Sequence, residues 1–130
     1  VKRVGNLLSY ARLLLALAAV GEAATGLILL VYPPIVVRLL VGAEIAGAGI
    51  VMSRIAGIGL IALGLACWPG SMAARALCGM LTYSSLATLY LIYLGVEGAL
   101  VGSLLWPAVV VHGVLTFLLA RVWLTDRQGK

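Results

Sequence analysis

Residues 7–31 read LLSYARLLLALAAVGEAATGLILLV, from Leu7 to Val31, and this run decides the fold class. It holds two charged side chains, Arg12 near its start and Glu22 near its middle. A hydrocarbon layer about 30 Å thick takes roughly 20 residues of helix, and the run exceeds that. A basic opening (Lys2, Arg3, Arg12) followed by Ala16-Leu17-Ala18 also imitates a secretory signal. The apolar run continues well past that point, so a membrane helix is the better reading.

Outward from this run, Tyr32-Pro33-Pro34 stops the helix, because paired prolines lack amide donors and restrict the residue before them. The stretch Ile35 to Ile50 mixes Arg38 and Glu44 with valines, leucines and glycines. It predicts a short helix at the membrane interface, then a turn through Gly42, Gly47 and Gly49. Three more apolar runs follow, at about 50–68, 74–94 and 99–123. Pro69-Gly70-Ser71 and Gly95-Val96-Glu97-Gly98 separate them. Pro107 interrupts the last, as membrane helices tolerate when neighbours satisfy the freed carbonyl. Thr125 to Lys130 form a polar tail. The expected fold is all-α: one domain over residues 1–130, an integral membrane bundle of four transmembrane helices with a short interfacial helix between the first and second spans. Leu8-Ser9-Tyr10 and Leu81-Thr82-Tyr83 match loosely, but the likeness decays at once and no duplication is read from it.

Composition agrees. The chain is 64% hydrophobic and 10% charged, where soluble proteins carry about a quarter charged residues. Its net charge of +5 is not a nucleic-acid footprint, because the nine Lys and Arg are scattered at the ends of apolar runs. With four spans, both termini and the Pro69 turn share one side. Lys2, Arg3, Arg12, Arg75, Arg121, Arg127 and Lys130 fall there, against Arg38 and Arg54 opposite. Seven against two predicts cytoplasmic termini by the positive-inside rule. Trp68, Trp106 and Trp123 stand near span ends, as interfacial anchors do.

Five polar side chains within the spans are the candidate ligand site: Glu22, Arg54, Tyr83, Tyr90 and His112. An ionisable group inside a bilayer is a functional hypothesis by default. Glu22 shares a face with Leu15, Ala18, Ala19, Thr25, Gly26 and Leu29, small enough to point into the bundle. Arg54 shares one with Gly57, Ile61, Gly64 and Trp68. Depth along the helices puts Glu22 about 13 Å and Arg54 about 6 Å from the outer end, so the two are expected to pair. Tyr83 and Tyr90 lie two turns apart on the third span, and His112 lies near the middle of the fourth. Each has a simpler alternative: a structural clasp for Glu22–Arg54, one interhelical hydrogen bond for His112, packing for the tyrosines. Cys67 and Cys78 have neither metal-ligand spacing nor a redox motif and read as apolar side chains. No metal or other cofactor is expected.

Gly26-Leu27-Ile28-Leu29-Leu30-Val31-Tyr32-Pro33, then Arg54-Ile55-Ala56-Gly57-Ile58-Gly59-Leu60 and Leu63-Gly64-Leu65, resemble the small bacterial four-helix membrane proteins grouped as DoxX-like. The resemblance covers residues 10–70. It implies a bacterial inner-membrane bundle, some of whose relatives accompany quinone-linked redox enzymes, and it transfers no catalytic residue. Two functions are expected in order. The first is a non-catalytic subunit that anchors or stabilises a larger membrane complex, redox or photosynthetic, through membrane-protein partners or self-association. The second is a binder or carrier of a quinone, a lipid or another small hydrophobic ligand. An enzyme ranks last, because one histidine and four scattered acids assemble no nucleophile–base–orienter set.

Overall fold

The computed structural model describes residues 2–70 and 73–128, with side-chain surroundings for 9–70 and 74–125. Ser71 of the expected turn and Lys130 of the tail lie outside the described residues, as do the side chains of Lys2, Arg3 and Arg127. The described residues form five helices: α1 (Lys2–Val31), α2 (Pro33–Val41), α3 (Ala48–Ala66), α4 (Ala73–Glu97) and α5 (Leu105–Gln128). Four of them contain stretches long and apolar enough to cross a membrane: Ser9–Val31, Ala48–Ala66, Ala74–Glu97 and Leu105–Thr125. The chain is a multi-pass membrane bundle with the short α2 between its first two spans.

The prolines stop α1 and start α2 in the same stroke. Pro33 and Pro34 occupy the first positions of α2, where a missing amide costs no hydrogen bond. Gly42 ends α2 in the left-handed conformation (φ 71°), and its amide donates to the Arg38 carbonyl. Arg38 and Glu44 meet at 3.7 Å on the exposed rim, a pairing worth at most about 1 kcal/mol.

α5 begins later than the apolar pattern predicts. The fourth span was expected from about residue 99, broken by Pro107; instead the helix starts at Leu105 and Pro107 sits in its first turn, so no helical hydrogen bond is lost there. Residues 99–104 form a loop that bonds to α2. The Gly102 amide donates to the Leu40 carbonyl at 3.0 Å and the Leu104 amide to the Leu39 carbonyl at 2.8 Å. These bonds satisfy carbonyls that the last turn of α2 leaves open. A side chain at Gly102 would run into the Leu39 carbonyl, so glycine is required for the approach.

Packing divides the bundle into two antiparallel pairs, α1 with α3 and α4 with α5. The α1–α3 crossing is made by small residues. A β-carbon on Gly57 would stand 2.6 Å from the Gly26 carbonyl oxygen, and one on Gly64 2.6 Å from that of Ala19. Without a solvent-driven force between membrane helices, such close backbone contact is what holds them. The two pairs join over a core at the end that carries the termini: Leu14, Leu15 and Ala18 of α1, Cys67 after α3, Leu77 and Met80 of α4, Leu119 and Val122 of α5. Cys67 is buried here and Cys78 is exposed, both as free thiols. Toward the opposite end the pairs part.

Candidate ligand-binding groove

Where the pairs part, a cleft of about 910 Å³ runs between α1, α4 and α5, roofed by α2. Its walls are mostly aliphatic: Leu17, Ile28 and Leu29 on α1, Val36 and Leu39 on α2, Val110, Val111 and Val114 on α5. Leu17, Ile28, Val110, Val111 and Val114 are about half exposed or more, and all lie within the spans, so the cleft opens sideways toward the acyl chains. Ligand sites of small molecules run roughly 300–1,000 Å³.

The floor of the cleft is polar. Glu22 is only 6% exposed and points away from the α1–α3 crossing, toward α4 and α5. The reason is helical register: Ala19, Ala23 and Gly26 form the crossing face, and at 3.6 residues per turn Glu22 projects about 60–70° to one side of it. The Tyr83 hydroxyl of α4 is turned to the carboxylate as a hydrogen-bond donor. His112 of α5 stands across the cleft with Nδ1 3.9 Å from Glu22 Oε1. That distance is beyond hydrogen-bond length, and Nδ1 has no other partner. The Tyr83 and His112 rings meet edge to face, their centroids 5.8 Å apart. Ser84, fully buried beside Tyr83 in sequence, has an unpartnered hydroxyl as well.

Three of the five expected site residues therefore converge: Glu22, Tyr83 and His112. Tyr90 lies higher on the cleft wall, 62% exposed and stacked on Tyr93 with centroids 6.3 Å apart. Arg54 is not part of the site, and the expected Glu22–Arg54 pair does not form. Arg54 is exposed on α3, and the ion-pair partner in reach of Glu22 is His112. The register of the crossing explains the difference. Gly57 lies against Gly26, Leu29 and Leu30, so α3 begins above the end of α1. Arg54 is then level with the outer end of α1, about eight residues or 12 Å from Glu22, too far for a guanidinium to bridge.

The groove also uses residues that polarity alone does not single out. Gly21 lines it, and a β-carbon there would meet nothing within 4 Å, so its missing side chain contributes open space. Thr25 lines it while its hydroxyl bonds back to the Gly21 carbonyl at 2.9 Å. Pro107 and Ala108 lie at the end nearest α2. The signal for Gly21 was available, since a glycine directly before a buried acid leaves a gap beside it. Among the described residues no three metal-ligating side chains come together.

No family model, curated protein or solved structure matches this chain. The function is therefore argued from the groove.

Proposed function

We propose that the chain binds a small hydrophobic molecule with a polar head, taken up sideways from the membrane into the groove and held by its head at Glu22, Tyr83 and His112. One observation carries this reading: a buried cluster of polar side chains on the floor of an apolar cleft that opens toward lipid. Polar side chains inside a bilayer are costly, at about 2.5–3.5 kcal/mol for a charged one at mid-span. Placing three of them at the end of an open cleft, instead of inside the sealed core a few residues away, is what a ligand site requires. The role is non-catalytic: the cluster offers hydrogen bonds and a charge, with no nucleophile.

The setting we propose is a bacterial inner membrane with both termini cytoplasmic. The distribution of Lys and Arg supports the orientation, and the DoxX-like resemblance supports the membrane.

The Gly21→Leu variant tests the groove. Its side chain should enter the cleft without displacing neighbours. Protein purified in mild detergent is extracted with organic solvent and analysed by mass spectrometry. The wild type should release a stoichiometric lipophilic molecule that Gly21→Leu lacks, with the two melting at similar temperatures. Equal recovery from both, or from neither, would refute the reading.

A second reading, a subunit packed against a larger membrane partner, has one observation in its favour. Gly59, Ala62 and Ala66 form a face of small residues on α3 that is open to lipid. Such faces admit close approach by another helix. Co-purification of a large partner, lost on Ala62→Leu, would support it.

A further inference from the structure

We propose that the molecule held in the groove is a lipophilic cation, and that Glu22 takes up its charge in exchange for a proton. The inference deepens the groove reading and rests on it.

The argument starts from what surrounds the carboxyl. Glu22 is mid-span and 6% exposed. A carboxylate at such a depth needs a cation beside it, and among the described residues the one basic group in reach is His112. From α4 it faces Tyr83, which is uncharged, and from α5 it faces His112, whose Nδ1 is 3.9 Å away. From α3 the groove receives Leu60, and from α2 it receives Ile35, Val36, Leu39 and Leu40, none of which ionises. The described arginines are elsewhere. Arg38 is paired with Glu44 on the rim, and Arg12, Arg54, Arg75 and Arg121 are exposed. The site thus has an acid whose one ionisable basic neighbour among the described residues is His112, at the base of a cleft that apolar molecules can enter.

Two states satisfy this. With the cleft empty, Glu22 and His112 hold one proton between them, so the pair carries no net charge. With a cation in the cleft, the O–H or N–H bond that holds this proton breaks, the proton leaves to water, and the carboxylate pairs with the ligand. One positive charge replaces another, so the net charge of the site is unchanged. The walls fit the rest of such a ligand. Leu17, Leu29, Val111 and Leu115 accept its apolar groups, and Tyr83 and Tyr90 are aromatic rings in the lining, of a kind that attracts an organic cation. An anionic head would meet the acid itself. A neutral head could only hydrogen-bond, and would release no proton.

The experiment uses the full chain in detergent with three probes. Tetraphenylphosphonium is the cation, tetraphenylborate is an anion of the same shape, and decylubiquinone is neutral. Binding is measured by equilibrium dialysis between pH 6 and 9, with proton release followed in weak buffer. Tetraphenylphosphonium should bind one per chain, release close to one proton, and tighten by up to about tenfold per pH unit where the pair still holds its proton. Glu22→Gln should weaken it at least about tenfold and remove the pH dependence. Glu22→Asp should keep it, which covers the case in which Glu22→Gln fails to fold. Tetraphenylborate should not bind. If decylubiquinone binds and Gly21→Leu blocks it while the cation does not bind, the groove reading stands and the cation proposal falls. Cation binding indifferent to pH and to Glu22→Gln also overturns it. If no probe binds in a manner that Gly21→Leu blocks, both readings fall together.

Discussion

Replacing Gly57 with Ala adds one methyl group at the tightest point of the α1–α3 crossing. Its β-carbon would sit 2.6 Å from the Gly26 carbonyl oxygen, 2.9 Å from the Leu30 amide nitrogen and 3.1 Å from the Leu29 β-carbon. Ordinary contact begins at 3.4 Å, and two of these three atoms are backbone that cannot rotate away. The helices must therefore separate by about 0.8 Å. A gap of 0.5–1 Å forfeits roughly a quarter to a half of each dispersion contact along the seam. Overpacking of this kind costs about 1–3 kcal/mol. Gly59 is the internal control. It lies on the same helix, two residues on, and a β-carbon there meets nothing within 4 Å. Both substitutions gain similar helix propensity, up to about 1 kcal/mol where the helix is solvated. Gly59→Ala should thus be neutral or mildly stabilising, and Gly57→Ala should fall below it by about 1–3 kcal/mol. The assay is unfolding in mixed micelles against increasing sodium dodecyl sulfate, followed by circular dichroism. Equal midpoints for the two variants would show that the crossing is not held by close backbone contact.

Two further outcomes are expected. Gly102→Ala should disrupt the bonds from the Gly102 and Leu104 amides to α2, because its β-carbon collides with the Leu39 carbonyl. The Leu104 amide should then exchange faster, with a loss of about 1–3 kcal/mol as the carbonyls go unpaired; unchanged protection would contradict the clasp. In a chain otherwise free of cysteine, one introduced at Gln128 should resist a membrane-impermeant thiol reagent in intact cells and react after lysis, whereas one introduced at Ala99 should react in both. The reverse pattern would overturn the proposed orientation.

The four spans were legible because each is a long apolar run, and hydrophobic length is the one signal a bilayer reads directly. The boundaries were less so. Ala99 to Leu104 is apolar enough to pass for helix, but it is a loop whose backbone bonds to α2, a contact between distant parts of the chain. Glu22, Tyr83 and His112 were legible as costly groups that must face inward. The error lay with Arg54. Depth was counted from span ends taken to be level, whereas glycine packing sets α3 several residues higher against α1. That offset lives in the pairing of two helices and in neither helix alone. The cleft was invisible for a related reason. Gly21, Val36 and Val111 belong to different helices and line one cleft only where the pairs part.

The small-residue face of α1 explains why its acid can sit where it does. Ala19, Ala23 and Gly26 commit one face to α3 at backbone contact, which fixes the rotation of α1 about its axis. With that rotation fixed, Glu22 has no freedom to turn to lipid and is aimed between α4 and α5. The second pair is then held against the first at both ends of the cleft. Leu15, Met80 and Leu119 seal one end, and the bonds between α2 and residues 102–104 close the other. Between these ends the cleft lies open, with Glu22 of one pair near His112 of the other. A molecule entering from the bilayer would displace acyl chains from the cleft rather than protein from its core. On the proposed reading, the polar cluster at its floor then decides which molecules stay.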